Sequence, residues 1–244
     1  MTQRFLVPFR DALAFLSRLA PPASRDGASL AAAVPCYPLA GLVLGFCACV
    51  PYLFISPASW VPAWLYALIL AWLTRGLHWD GLADLADACG SNAHGERFWQ
   101  IMKDSRIGAF GVMALVFGLL GQVIAARNCI AADRLPALIM APAVGRAMVI
   151  ALGMLTRPHP KATLGALVHP GTRTPLAALS LAATLAVSMA VTGFLPFLIA
   201  ALLASAAMTA LVRIAGKQGG CNGDFYGAAI ICGETTLLFG VALV

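Results

Sequence analysis

Negative charge is scarce in this chain. Of its 244 residues, ten are Asp or Glu, and charged residues of both signs make up 11%. Soluble domains carry about 25% charged and about 45–50% apolar residues, whereas this chain is 61% hydrophobic. A soluble fold of this length could not cover so much apolar surface. Lipid is therefore the expected solvent, and the chain reads as an all-α polytopic membrane protein. No polar stretch is long enough to form a second domain, which leaves a single membrane domain over residues 1–244. Paired cysteine spacings are missing too. Seven cysteines occur without a CxxC pair, mostly in apolar runs, so buried reduced thiols are expected rather than a disulfide framework or a zinc site. The chain also lacks fixed-period repeats and low-complexity tracts. Arg10, Asp11 and Arg18 interrupt any signal-peptide core, so a cleavable signal is not expected.

What the chain has in quantity is apolar runs of membrane-spanning length, about 20 residues each. The expected spans are 38–56, 60–75, 109–126, 135–155, 175–192, 194–212 and 225–244, about seven helices in all. The 39 uncharged residues from Thr174 to Val212 would reach about 58 Å as one helix, nearly twice the hydrocarbon thickness. They are split at Thr192-Gly193, just ahead of Pro196. With a cytoplasmic N-terminus, thirteen of the sixteen Lys and Arg fall on the cytoplasmic side (Arg4, Arg10, Arg18, Arg25, Arg75, Arg97, Lys103, Arg106, Arg157, Lys161, Arg173, Arg213, Lys217). Arg127 and Arg134 fall outside and Arg146 lies within a span, so the positive-inside rule supports this threading. The net charge of +6 reads as topology and contact with anionic lipid, and nucleic acid is not needed to explain it. Residues 1–25 contain an amphipathic stretch that suits either an interfacial helix or one packed on the bundle. In PLAGLVLG (38–45), Gly41 and Gly45 form a GxxxG pair that allows close helix packing.

The few acids are concentrated. Asp80, Asp84, Asp87, Glu96 and Asp104, five of the ten, fall within 25 positions, in a stretch (76–108) read as a cytoplasmic catalytic loop. In HWDGLADLADACG (78–90) a helix would put Asp80, Asp84 and Asp87 on one face. Like charges so placed repel, and a divalent cation removes the conflict. Magnesium suits them, since it takes one or two carboxylates and completes its shell with water and phosphate oxygens. A solvated polar face is the plainer alternative. His78 and His94 flank the stripe and read as surface hydrogen-bonding residues. In IMKDSRIGAFG (101–111), Lys103, Asp104, Ser105 and Arg106 cluster ahead of Gly108 and Gly111. The two cations suit phosphate, and the glycines would let backbone approach a ligand. GKQGGCNGDFYGA (216–228) holds Lys217, Gly223 and Asp224 but lacks the Walker A spacing. Such a loop could fold around a phosphate or simply turn the chain. Glu234 and Arg146 fall inside spans, where they could pair or line a cavity. Carboxylates, cations and glycine loops thus meet at one membrane face, a combination that fits phosphoryl transfer.

Taken together, LHWDGLADLADACG (77–90), ERFWQIMKDSRIGAFGV (96–112) and GGCNGDFYGA (219–228), with FLSRLAPP (15–22) and YPLAGLVLG (37–45), resemble the cobalamin synthase family, the adenosylcobinamide-GDP ribazoletransferases. His78-Trp79 and Cys221-Asn222 depart mildly from the family's pattern. The resemblance implies an enzyme of the bacterial cytoplasmic (inner) membrane with its active site facing the cytoplasm. Its substrates would be adenosylcobinamide-GDP and α-ribazole or its 5′-phosphate, its cofactor Mg²⁺ and its product a cobamide with release of GMP. Asp80, Asp84 and Asp87 would then hold metal, and Lys103 and Arg106 would neutralise phosphate oxygens. Asp104 or Asp224 would accept the attacking hydroxyl's proton. Arg97 would help bind the nucleotide, and Ser105, Gly108, Lys217 and Gly223 are the remaining candidate substrate contacts. Self-association into a homo-oligomer is left open. The rival readings are a secondary transporter or ion channel, which would depend on Glu234 and Arg146, and a CDP-alcohol phosphotransferase, whose usual pattern continues DG-x-x-AR where this chain has Asp80-Gly81-Leu-Ala-Asp.

Overall fold

The computed structural model describes residues 2–21 and 26–244, with side chains from Leu6 onward. Arg25 and the side chain of Arg4, both in the basic tally, lie outside the described residues. Twelve α-helices follow one another and no strand occurs among the described residues: α1 (Thr2–Leu16), α2 (Gly27–Ala33), α3 (Tyr37–Cys49), α4 (Val61–Leu73), α5 (Leu77–Gly90), α6 (Glu96–Ile101), α7 (Ala109–Ala131), α8 (Leu135–Leu155), α9 (Leu164–Thr172), α10 (Pro175–Thr192), α11 (Phe194–Lys217) and α12 (Gly223–Ala242). Six runs are long and apolar enough to cross a membrane: Gly27–Leu53, which joins α2 and α3 through short 3-10 turns, and α7, α8, α10, α11 and α12. The expected span over 60–75 is the shorter apolar helix α4. Gly193, at φ +90°, breaks the long uncharged run between α10 and α11 where the sequence suggested.

Helices α8 and α12 form the centre and are mostly buried, whereas α7, α10 and α11 turn most of their surface outward, as lipid-facing helices do. Small residues set the spacing. A Cβ on Gly41 would meet the Ala143 Cα at 2.6 Å, and one on Gly45 the Ile139 Cα at 2.9 Å, so the GxxxG pair is where α3 crosses α8. A Cβ on Gly233 would come within 2.8 Å of the Gly145 Cα, which brings α12 equally close to α8. Pro142 interrupts α8 and cannot donate to the carbonyl one turn back. The Tyr66 hydroxyl, from α4, donates to that Leu138 carbonyl at 2.8 Å. An open acceptor in an apolar interior is thereby avoided.

The two ends of the bundle carry different chemistry. At the start of α4 the Arg127 guanidinium stacks over Trp60, 5.8 Å from its centroid, and donates to the Ala58 carbonyl. At the other end of α4, Arg18 stacks over Trp72 at 5.5 Å and donates to the Trp72 carbonyl. Arg75 there donates to the Phe15 carbonyl, tying α1 to the bundle through the end of α4. Ala12 and Leu16 of α1 are buried, so this helix packs on that end. From there α5 runs past the start of α12, where Gly81 meets Asp224, to the start of α7, where Gly90 meets Phe110, and the C-terminus of α8 meets the loop before α12 at Thr156 and Cys221.

Candidate active site

Residues 77–90 form the helix that the aspartate spacing required, and α5 lies against α12 and α7. Its contact with α12 is closest at Gly81, where a Cβ would stand 2.8 Å from the Asp224 Cα. Only glycine at 81 lets the first turn of α12 come so near, and this approach sets Asp224 beside Asp80 and Asp84. The crowding has a measurable consequence. Burial, then the carboxylates of Asp80, Asp224 and Asp87, raise the Asp84 carboxyl from 3.8 to about 7. Asp84 therefore ionises reluctantly, and a cation beside it would favour its charged form.

Asp87 is placed differently. Its two carboxylate oxygens accept the backbone N–H of Gly108 at 2.7 Å and of Gly111 at 2.8 Å. It thus caps α7 from a neighbouring helix, satisfying donors that a helix start leaves open. A Cβ on Gly108 or Gly111 would drive into that carboxylate. These glycines, which the sequence offered as room for a ligand, make room for Asp87.

Asp104 and Arg106 are both exposed and grip each other. Arg106 Nη2 lies 2.7 Å from Asp104 Oδ2, and both Arg106 Nε and its backbone N–H donate to Oδ1. Those hydrogen bonds hold the Asp104 carboxyl down at about 2, where it is a weak base. Ser105 between them is exposed, and Arg97, also exposed, donates to Gln100. Lys217 is exposed at the end of α11 and does not line the cavity described next.

A cavity of about 340 Å³ opens beside the aspartates. Asp224 and Gly223, at the start of α12, line its polar end together with Lys103. Asn222 caps α12 by accepting the Phe225 N–H and donates to Asp224 Oδ2 at 2.7 Å, which orients that carboxylate. The rest is apolar and aromatic, with walls from α1, α3, α5, α6, α8, α9 and α12. His78, buried at the start of α5, lines it rather than facing the surface, and burial and the Arg146 charge hold its imidazole well below the ordinary histidine range. On one side Trp99 stacks on His159, with centroids 4.1 Å apart, while its indole N–H donates to the Gln218 carbonyl.

The glycine-rich loop holds that wall. Cys221 N–H donates to the Arg157 carbonyl and His159 N–H to the Cys221 carbonyl. Gly220, at φ +141°, leaves no room for a Cβ, which would lie 2.7 Å from the His159 Cα. Gly220 and Cys221 turn the chain and dock the segment around His159, while Gly223 of the same loop lines the cavity. Lys161 Nζ, 2.8 Å from Glu96 Oε2, ties that segment to α6. Trp99, His159, Lys161, Tyr37 and Tyr226 escaped the sequence reading because they lie on separate apolar or polar segments with no shared spacing. The WQ dipeptide ahead of the basic cluster was the one nearby signal.

Farther inside, the Arg146 guanidinium pairs with the Glu234 carboxylate, and Gln122 donates to Glu234 at 3.1 Å. All three are buried and none lines the cavity, so the pair does not belong to the site around Asp224, and the transporter or channel reading is not favoured.

Among the described residues no three His, Cys, Asp or Glu side chains could close around a metal ion by themselves. The donor set nevertheless suits magnesium, which is commonly held by one or two carboxylates plus substrate phosphate oxygens. Asp84, crowded by like charge, is the observation that fits such an ion.

A family model for cobalamin-5-phosphate synthase matches residues 8–242. An adenosylcobinamide-GDP ribazoletransferase of Nitratidesulfovibrio vulgaris (strain Miyazaki F) is 46% identical over 231 residues, covering 94% of this chain and 92% of its own. Enzymes of the same name from Syntrophobacter fumaroxidans and Klebsiella pneumoniae (strain 342) are each 37% identical, covering 96% of this chain and 97% and 98% of their own. No solved structure matches the chain.

Proposed function

The chain belongs to the cobalamin-5-phosphate synthase family, and from that premise we propose that it joins adenosylcobinamide-GDP to α-ribazole or its 5′-phosphate, giving a cobamide and GMP. A ribose hydroxyl attacks the phosphorus attached to the cobinamide side chain. A new P–O bond forms, the P–O bond to the GMP phosphate breaks, and the hydroxyl proton passes to a protein carboxylate. The observation that supports this reading is the convergence of Asp80 and Asp84 with Asp224, which lines the polar end of the cavity.

The residues divide the work. Asp80 and Asp84 would hold Mg²⁺, which supplies positive charge to the pyrophosphate. Asp224, oriented by Asn222 and lining the cavity, is the better proton acceptor, because Asp104 is held too acidic by Arg106. Lys103 lines the cavity, where it could meet a phosphate oxygen, and exposed Arg106 could exchange Asp104 for substrate. Asp87 works at one remove, by holding α7 to α5. The end of the bundle that holds the site also carries Arg10, Arg18, Arg75, Arg97, Lys103, Arg106, Arg157, Lys161 and Arg173. By the positive-inside rule this bias supports an inner-membrane orientation in which that end faces the cytoplasm, the compartment that supplies nucleotide.

The test is direct. Purified protein returned to lipid is incubated with adenosylcobinamide-GDP, Mg²⁺ and either α-ribazole or its phosphate. Equal amounts of cobamide and GMP, abolished by EDTA, are expected. Folded protein that forms neither product with either acceptor overturns the reading.

A further inference from the structure

Basic charge is unevenly balanced in this protein. The chain has no Asp or Glu between Asp133 and Asp224. Within that stretch Arg146 and Lys161 find carboxylates elsewhere, in Glu234 and Glu96. At the end of the bundle where α8 and α11 stop, Arg157, Arg173, Arg213 and Lys217 pair with no carboxylate among the described residues. Two of them, Arg157 and Arg173, line one recess of about 320 Å³ with Leu155, Val212, Gly216 and Gly219. Arg173 is held in place by the end of α8. Its Nη2 donates to the Thr156 carbonyl at 2.9 Å and its Nε to the Gly153 carbonyl at 3.4 Å, which orients the guanidinium and leaves its charge uncompensated. The exposed Arg157 guanidinium hydrogen-bonds to nothing among the described residues. Gly216 keeps the recess open, since a Cβ there would meet nothing within 4 Å. Topology alone explains basic residues at the ends of spans. It does not require two guanidiniums to share a recess.

We infer that this recess binds a phosphate group between Arg157 and Arg173, and that the phosphate is the headgroup of an anionic phospholipid. Guanidinium forks match phosphate oxygens in geometry and charge. Position favours the lipid as the source. The recess lies where α8 and α11 end and α10 begins, three helices long and apolar enough to cross a membrane. Leu155 at its rim is exposed, as are Leu176 and Leu179 in the first turns of α10, so apolar surface for acyl chains adjoins the cations. An anionic headgroup also answers the unpaired charges of Arg213 and Lys217, which a zwitterionic one, carrying its own ammonium, does not. The recess is separate from the cavity at Asp224. No residue lines both, and Gly220, backed against His159, stands between them. A lipid seated there would brace the main-chain bonds from Cys221 to Arg157 and from His159 to Cys221, which hold the loop leading to Asp224.

The thermal midpoint of the purified protein in detergent tests this, with phosphatidylglycerol or phosphatidylcholine added, and separately with sodium phosphate or sodium chloride at equal ionic strength. Phosphatidylglycerol should raise the wild-type midpoint about 3–6 °C above that in phosphatidylcholine. Two variants should lose this increment by different routes. Arg157→Gln removes a guanidinium with no partner among the described residues, and Gly216→Leu keeps both charges but fills the recess. Arg213→Gln removes an equal charge beside the recess without altering its lining, and should keep the increment. An increment from sodium phosphate instead, with the same dependence on the variants, keeps the phosphate site and overturns the lipid as its occupant. No increment from either, one that Gly216→Leu leaves intact, or one that Arg157→Gln and Arg213→Gln lower equally overturns the site. The measurement needs no turnover, so an inert enzyme would count against the transferase reading and not against this recess.

Discussion

Asp84 is a carboxyl that the fold holds against its own interest. Free aspartate ionises near 3.8 and Asp84 at about 7, first because it is partly buried and then because Asp80, Asp224 and Asp87 surround it. Below 3.8 the group is protonated in both folded and unfolded chains and contributes nothing to pH dependence. Between 3.8 and about 7 the folded chain binds more protons than the unfolded one, so stability falls as pH rises, and the loss is complete above that window. Asp84→Asn removes the loss. In the absence of divalent ions at pH 8 its thermal midpoint should exceed that of the wild type by about 2–4 °C. Added Mg²⁺ should raise the wild-type midpoint and do little for the variant, which also loses transferase activity. A wild-type midpoint indifferent to Mg²⁺ at every pH would remove the aspartates from metal binding. The clustering of scarce acid was legible in the sequence because three of the carboxylates share one helix face. That Asp224 joins Asp80 and Asp84 while Asp87 turns to α7 was not, because the partners lie on other helices.

The clasp between α5 and α7 shows how an element is held by groups that look like ligand-binding residues. Asp87 accepts two N–H groups at the first turn of α7, and Gly108 and Gly111 leave the space it occupies. Gly111→Val puts a branched side chain on that carboxylate. Breaking the clasp should cost about 1–3 kcal/mol in denaturant unfolding, for a charge-assisted bond pair left unmade. Activity should fall more steeply than stability, since α5 carries Asp80 and Asp84. A variant of wild-type stability and activity would mean that α7 is positioned by lipid-facing packing instead. At this scale the helices themselves were readable: α8 and α10 begin and end where the apolar runs do, and Gly193 breaks the chain as its neighbourhood suggested. The helix α6 and the docking of the glycine-rich loop on residues 157–159 were not, because short helices and turns are decided by long-range hydrogen bonds such as that from the Trp99 indole to the Gln218 carbonyl.

For the whole molecule the orientation in the membrane is the property with most consequence. Among the cysteines Cys89 is exposed, near the end of α5, while Cys36, Cys49, Cys129 and Cys221 are buried and Cys47 and Cys232 intermediate. A membrane-impermeant maleimide should therefore label Cys89 in inside-out inner-membrane vesicles and leave intact spheroplasts unlabelled, with Cys89→Ser abolishing the signal. Labelling of intact spheroplasts instead would put the aspartates on the outer face, away from cytoplasmic nucleotide. The interior pair of Arg146 and Glu234 belongs to this scale too. It joins α8 to α12, with Gln122 of α7, at the centre of the bundle.

Composition decided the solvent, because a chain that is 61% hydrophobic with ten acids cannot cover its apolar surface in water. Run length set the spans, basic residues set the expected orientation, and the 3.6-residue period put three aspartates on one face. Each of these depends on neighbours within a few turns. The tertiary structure decided which carboxylates stand together, which glycines serve packing, and that an apolar cavity opens beside them. Those outcomes follow from close approaches between segments far apart in the chain, such as Gly81 against Asp224, whose energies no local pattern records.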